Sequence, residues 1–189
     1  MKITIPDREF EAFQKISRAN KSYGCVITEK LDGTNAQILI ENGEIVGVGS
    51  RNRWLSSEKT NDNYGFAGWV ERNYDDLLKL GEGRHYGEWY GNGIQRAYGL
   101  AEKRFALFNV SRWATQEDRP ACCSAVPVLY EGEFSKEIVA QVMEDLRAGG
   151  SRAAPGFERP EGIIIFLHGP RVLLKETFDA PHGKWAEAA

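Results

Sequence analysis

Asn42-Gly43 sits between two alternating apolar runs, Ile38 to Ile40 before it and Ile45 to Val48 after it. Asn-Gly in that setting is the strongest short-range signal for a hairpin, because the two-residue turn needs backbone angles that these residues tolerate. The chain is thereby committed to antiparallel sheet early in its length. The segment leading in alternates too. Val26, Thr28 and Lys30 share one face and Cys25, Ile27, Glu29 and Leu31 the other, so Lys30 ends a strand. Gly33 then releases the backbone into a tight turn. A lysine before a turn is most often solvated. Given suitable partners, though, its amine is a nucleophile able to form a covalent intermediate.

A length of 189 residues suffices for one sizeable domain with its own core. With 42% hydrophobic and 27% charged residues, disorder is not the default. A net charge of -3 argues against a general nucleic-acid coat. Basic residues match acidic ones only as far as Arg112, so a polyanion-binding surface is expected in the first part of the chain. Cys25, Cys122 and Cys123 are odd in number, and the adjacent pair suits neither disulfide nor zinc geometry. A reducing compartment, the cytoplasm, is expected. No basic-then-apolar leader opens the chain, and no apolar run approaches the roughly 20 residues of a membrane span. The expectation is a soluble, unprocessed protein with no membrane partner.

Pro6-Asp7 with Phe10, Phe13 and Ile16 predicts a short amphipathic packing helix. Ser50 to Trp54 places Arg51, Arg53 and a tryptophan directly after the hairpin. They are candidates for a sugar or phosphate and for a nucleic-acid strand, or else a solvated pair beside an interior ring. Phe66, Trp69, Val70, Tyr74, Leu77 and Leu78 recur at helical spacing and predict a core face. His85 to Tyr90 alternates as a strand with one acid, Glu88, among aromatics. Gly91 to Arg96 starts like a dinucleotide loop, but Arg96 stands where the last glycine belongs and no βαβ unit surrounds it. Arg104 to Val110 and Val126 to Tyr130 predict further strands. Ser135 predicts the N-cap of a helix through Val139, Val142, Met143 and Leu146, stopped at Gly149-Gly150. The Gly, Ser, Ala and Pro of 149–160 predict a mobile surface loop. Glu161 then opens an apolar strand through Leu167, Gly169-Pro170 turns it, and Arg171 to Glu176 returns as its partner. His85, His168 and His182 share no ligand spacing, and Cys122-Cys123 is expected to be inert.

The ordered set Lys30-Leu31-Asp32-Gly33, Ser50-Arg51, Gly87-Glu88, Phe108-Asn109-Val110, Glu161-Gly162-Ile163-Ile164 and Leu174-Lys175 resembles the covalent nucleotidyltransferase superfamily of ATP-dependent DNA and RNA ligases and capping enzymes. Asn35, where DNA ligases and capping enzymes usually show arginine, and the segment Glu88 to Arg96 are similar to the RNA ligase branch of the phage T4 RNA ligase 2 type. The resemblance implies an α+β, ATP-grasp-like ligase adenylation domain of antiparallel sheets with flanking helices. It implies one such domain over the whole chain. It also implies the reaction: ATP-dependent RNA end joining through a lysyl-AMP intermediate, of use in RNA repair.

Roles follow from the same resemblance. Lys30 would attack the α-phosphorus of ATP. Glu29 would offer its backbone carbonyl to the adenine amino group, and Phe108 would stack on the base. Glu88 and Arg51 would meet the ribose, Asn35 would orient a phosphate or metal-bound water, and Glu161 would hold Mg²⁺ or Mn²⁺. Together with that cation, Lys175 would neutralise charge as pyrophosphate departs. Arg53, Arg96 and Arg112 are candidate contacts to RNA ends or a nicked duplex. The chain departs from the pattern in two respects. Leu173 replaces the first lysine of the usual Lys-x-Lys, leaving Arg171 or Lys184 to compensate, and no OB or helical domain follows, so a partner protein is a candidate substitute. DNA nick sealing and a nucleotide-binding module without catalysis are the competing functions.

Overall fold

The computed structural model describes residues 23–58, 61–115, 117 and 119–179. The helix expected around Phe10 and the compensating Lys184 fall outside them. Among the described residues nine strands form two sheets, an α+β architecture. In the first sheet β1 (Gly24–Lys30) is central, flanked by β7 (Val128–Glu133) and by β8 (Gly162–Leu167), which pairs outward with β9 (Val172–Thr177). In the second, β2 (Thr34–Glu41) lies between β3 (Glu44–Gly49) and β4 (Gly83–Gly91), followed by β5 (Lys103–Leu107) and β6 (Cys123–Ala125). Every ladder is antiparallel except β5 with β6. The expected hairpin is β2-β3, its turn formed by Asn42 and Gly43 with φ of 55° and 75°.

Helix α4 (Lys136–Gly149) begins where Ser135 accepts a hydrogen bond from the Ile138 N–H at 3.1 Å, and ends at Gly150 in positive φ. Its Val142 and Leu146 pack on Cys25, Ile27, Ile163 and Ile165, one face of the first sheet. The other face, bearing Thr28 and Lys30, is turned away from that core. Helices α1 (Phe66–Arg72) and α2 (Tyr74–Leu77) cover Ala36, Ile38, Ile40 and Trp89 on the second sheet. A third cluster, Leu31, Tyr90, Tyr98, Ala106, Val126 and Ala154, joins the two sheets beside Lys30.

Several sequence expectations are corrected. The helical repeat from Phe66 to Leu78 breaks at Asn73, whose Nδ2 turns back to the Trp69 carbonyl at 2.8 Å. The strand from Arg104 stops at Leu107, and Val110–Trp113 forms a short helix, α3. The strand expected at Val126 to Tyr130 starts only at Val128, as β7 of the first sheet, and runs on to Glu133; β6 of the second sheet ends before it, at Ala125. The stretch 149–160 is not a free surface loop, because Gly150, Ser151, Ala154 and Pro160 are buried. No helix among the described residues is long and apolar enough to cross a membrane.

Candidate active site

Lys30 ends β1 opposite Gly162, the first residue of β8. That register brings the preceding residue, Glu161, next to it: Lys30 Nζ donates to Glu161 Oε1 at 2.5 Å, with 23% and 16% of the two side chains exposed. Gly162, the next residue, has no room for a side chain against β9, since its φ is 153° and a Cβ would lie 2.1 Å from the Glu176 carbonyl oxygen. The second oxygen, Glu161 Oε2, is buried and has no hydrogen-bond partner among the described residues. An oxygen so placed fits a hard divalent cation whose remaining ligands are water and phosphate. Among the described residues no group of three or more His, Cys, Asp or Glu could hold a metal ion. A cation here would therefore lean on Glu161 and its substrate.

Glu88 faces the pair from the second sheet. Its Oε1 accepts the Gly33 N–H at 3.1 Å and its Oε2 the Asn35 Nδ2 at 3.1 Å, while Asn35 Oδ1 accepts Arg51 Nε at 2.8 Å. Because one partner is a carboxylate and the other a guanidinium, the Asn35 amide has only one satisfying orientation. Burial pushes the Glu88 carboxyl up to about 7, and Glu161 adds to the rise. Lys30, the Gly33 N–H and Arg51 pull the other way without prevailing. A cavity of about 210 Å³ adjoins this chain, lined by Asn35, Ala36, Gln37, Ser50, Arg51, Tyr86 and Phe108. Phe108 lies just past β5, fixed by its N–H to the Tyr86 carbonyl at 3.0 Å, and is 41% exposed. Its ring is available to a planar ligand.

Glu29 points the opposite way from Lys30. Its carboxylate is 1% exposed and accepts Ser151 Oγ at 2.6 Å, the Arg152 N–H at 2.8 Å and the Ala153 N–H at 3.0 Å. Burial nevertheless raises its pKa, against those three donors. This anchor was not legible beforehand, because two of its donors are backbone groups. Lys175 lies opposite Ile164, itself opposite Thr28, so it shares the face of β1 that carries Lys30 and is exposed there. Leu173, two residues earlier, is 66% exposed.

The arginines diverge. Arg53 is exposed beside Arg51. Arg96 is engaged inside the protein: Nε bonds Asp32 Oδ2 at 2.8 Å, Nη1 the Arg159 carbonyl at 3.2 Å, and Nη2 pairs with Asp179. It clamps the Lys30 turn. Arg112 stacks on Trp113 at 4.3 Å and caps the Leu80 carbonyl at 2.7 Å. Trp54 is not interior, being 52% exposed.

A family model described as RNA ligase matches residues 24–175. Similar solved structures include Naegleria gruberi RNA ligase as a lysine-to-alanine variant with ATP and Mn and as a glutamate-to-alanine variant with AMP and Mn. Each has TM-score 0.61 and 21% identity, covering 84% of this chain and 50% of that one. The same ligase with pyrophosphate gives a TM-score of 0.60 over equal shares. The chain thus spans about half the length of those proteins, and at that identity the likeness speaks for the fold. No curated protein matches.

Proposed function

The chain belongs to the RNA ligase family, and we propose that it joins RNA ends by first transferring AMP from ATP to Lys30. The observation that carries this reading is the contact of Lys30 Nζ with Glu161 Oε1 beside the Glu88–Asn35–Arg51 chain. Attack needs the amine's lone pair, and Glu161 is the acceptor at hand for its proton. A bond then forms from Nζ to the α-phosphorus while the bond to the bridging oxygen breaks and pyrophosphate leaves. Glu88 and Arg51 hold the ribose, Phe108 stacks on adenine, the Glu29 carbonyl takes the adenine amino group, and Asn35 steadies Arg51 against Glu88. Mg²⁺ or Mn²⁺ held by Glu161 would neutralise charge on the phosphates. Lys175, on the same face, adds a cation toward that charge. AMP next passes to an RNA 5′-phosphate, and a 3′-hydroxyl displaces it to leave a phosphodiester.

Incubation with ATP labelled at the α-phosphate and Mg²⁺ tests the first half: label is expected on the native chain and none on Lys30→Ala. Adding 5′-phosphorylated RNA or DNA ends tests the second. Joined RNA supports the reading, joined DNA alone replaces it with DNA sealing, and an unlabelled native chain that still binds ATP replaces it with a nucleotide-binding module.

A further inference from the structure

One face of the second sheet leads away from Lys30 and is left open among the described residues. Register aligns Asn35 with Glu88, Gln37 with Tyr86 and Leu39 with Arg84, so these side chains stand on a common side. Opposite Leu39 and Gln37 on β3 stand Gly47 and Gly49, which raise no side chain there. Trp54 fills that space: a Cβ on Gly47 would come within 2.7 Å of its ring, and the Arg84 guanidinium lies 5.2 Å from the ring centroid. The loop is fixed by the Gly49–Trp54 bridge and by the Leu55 N–H to the Val48 carbonyl at 2.8 Å. A ring so firmly seated is still 52% exposed, and Tyr86, nearer Glu88, is 53% exposed. Arg84 is held in place by Gln37 Oε1 at 2.5 Å, and the exposed Arg51 and Arg53 stand on the loop that leads to Trp54.

Rigid aromatic rings interleaved with arginines are what an unpaired nucleic-acid strand requires, since every base offers a flat face and every linkage a negative charge. We propose that this strip seats the single-stranded RNA segment carrying the end to be joined. Bases stack on Trp54 and Tyr86, and phosphates meet Arg53. The inference rests on the ligase reading only for what happens at Lys30. It separates Arg53 from Arg96 and Arg112, whose guanidinium groups are occupied within the protein.

Fluorescence anisotropy with a labelled, 5′-phosphorylated single-stranded RNA tests the strip. Trp54→Ala should weaken binding by about tenfold or more, within the range measured for loss of one stacked base. Trp54→Phe, which keeps a ring, should retain most of the affinity. Arg53→Gln, at an exposed position, should lower the slope of log affinity against log salt by about one. AMP labelling of Trp54→Ala should match the native chain. RNA affinity unchanged in Trp54→Ala, no RNA binding by the native chain, or a blunt RNA duplex competing as well as the single strand would overturn the proposal. A native chain that takes no AMP but still loses RNA affinity on Trp54→Ala would leave the strip standing and remove the ligase function.

Discussion

Gly33 donates its N–H to Glu88 Oε1 at 3.1 Å and lies so close to β4 that a Cβ on it would sit 2.4 Å from the Trp89 carbonyl oxygen and 3.1 Å from Glu88 Cγ. The turn after Lys30 is thus fitted to the strand that carries Glu88. Gly33→Ala must push one away from the other, and a displacement of about 1 Å at a reacting centre costs on the order of a hundredfold in rate. The rate of AMP labelling should fall by about that factor. Unchanged labelling would show that Glu88 does not need this placement.

Stability should depend on Glu88 with a definite sign. Burial raises its carboxyl from 4.5 to about 7, so between those values the folded protein binds more protons than the unfolded chain. The stabilisation is therefore complete below the lower value and is lost as pH rises through the upper one. Urea unfolding should show the native chain losing about 3 kcal/mol relative to Glu88→Gln between about pH 4 and pH 8. Parallel profiles for the two proteins would refute this.

Glu29 anchors the segment after α4 from beneath the site. Removing its carboxylate leaves Ser151 Oγ and the N–H groups of Arg152 and Ala153 without their acceptor. Glu29→Ala should cost about 3 kcal/mol in urea unfolding, and Ser151→Ala about 1 kcal/mol. Amide exchange of residues 151–153 should quicken in both. If Glu29→Ala were as stable as the native chain, the anchor would be incidental.

Arg96 gives a prediction that separates scaffold from substrate contact. Its ion pair with Asp32 is about three-quarters buried, so Arg96→Ala should lower the unfolding free energy by about 2 kcal/mol and slow AMP labelling through the loosened turn. RNA affinity at fixed salt should stay within about twofold of native. A large loss of RNA affinity with stability intact would restore Arg96 as a direct contact.

Local pattern carried much of the fold. Alternation placed Lys30 at a strand end, Asn42-Gly43 placed the hairpin, and Ser135 with Gly149-Gly150 bounded α4. Each depends on neighbours in sequence. The partners of Glu29 and Arg96 did not show, because they are backbone groups or lie far along the chain, and a loop rich in small residues looks the same whether it caps a buried acid or meets solvent. Local pattern likewise left Trp54 open between a nucleic-acid contact and an interior ring. Its seat is an absence of side chain at Gly47, legible only once β3 is paired with β2. Lys30 and Glu161 stand 131 residues apart, and only the ordered motif set linked them before the β1-β8 register did.

The chemistry attributed to Lys30 is tested most directly by locating the nucleotide. After incubation with ATP and Mg²⁺, proteolysis and mass spectrometry should find one AMP in acid-labile phosphoramidate linkage on the peptide containing Lys30, and none in Glu161→Ala. AMP on a different residue, or a native chain that binds ATP yet carries no adduct, would contradict the account.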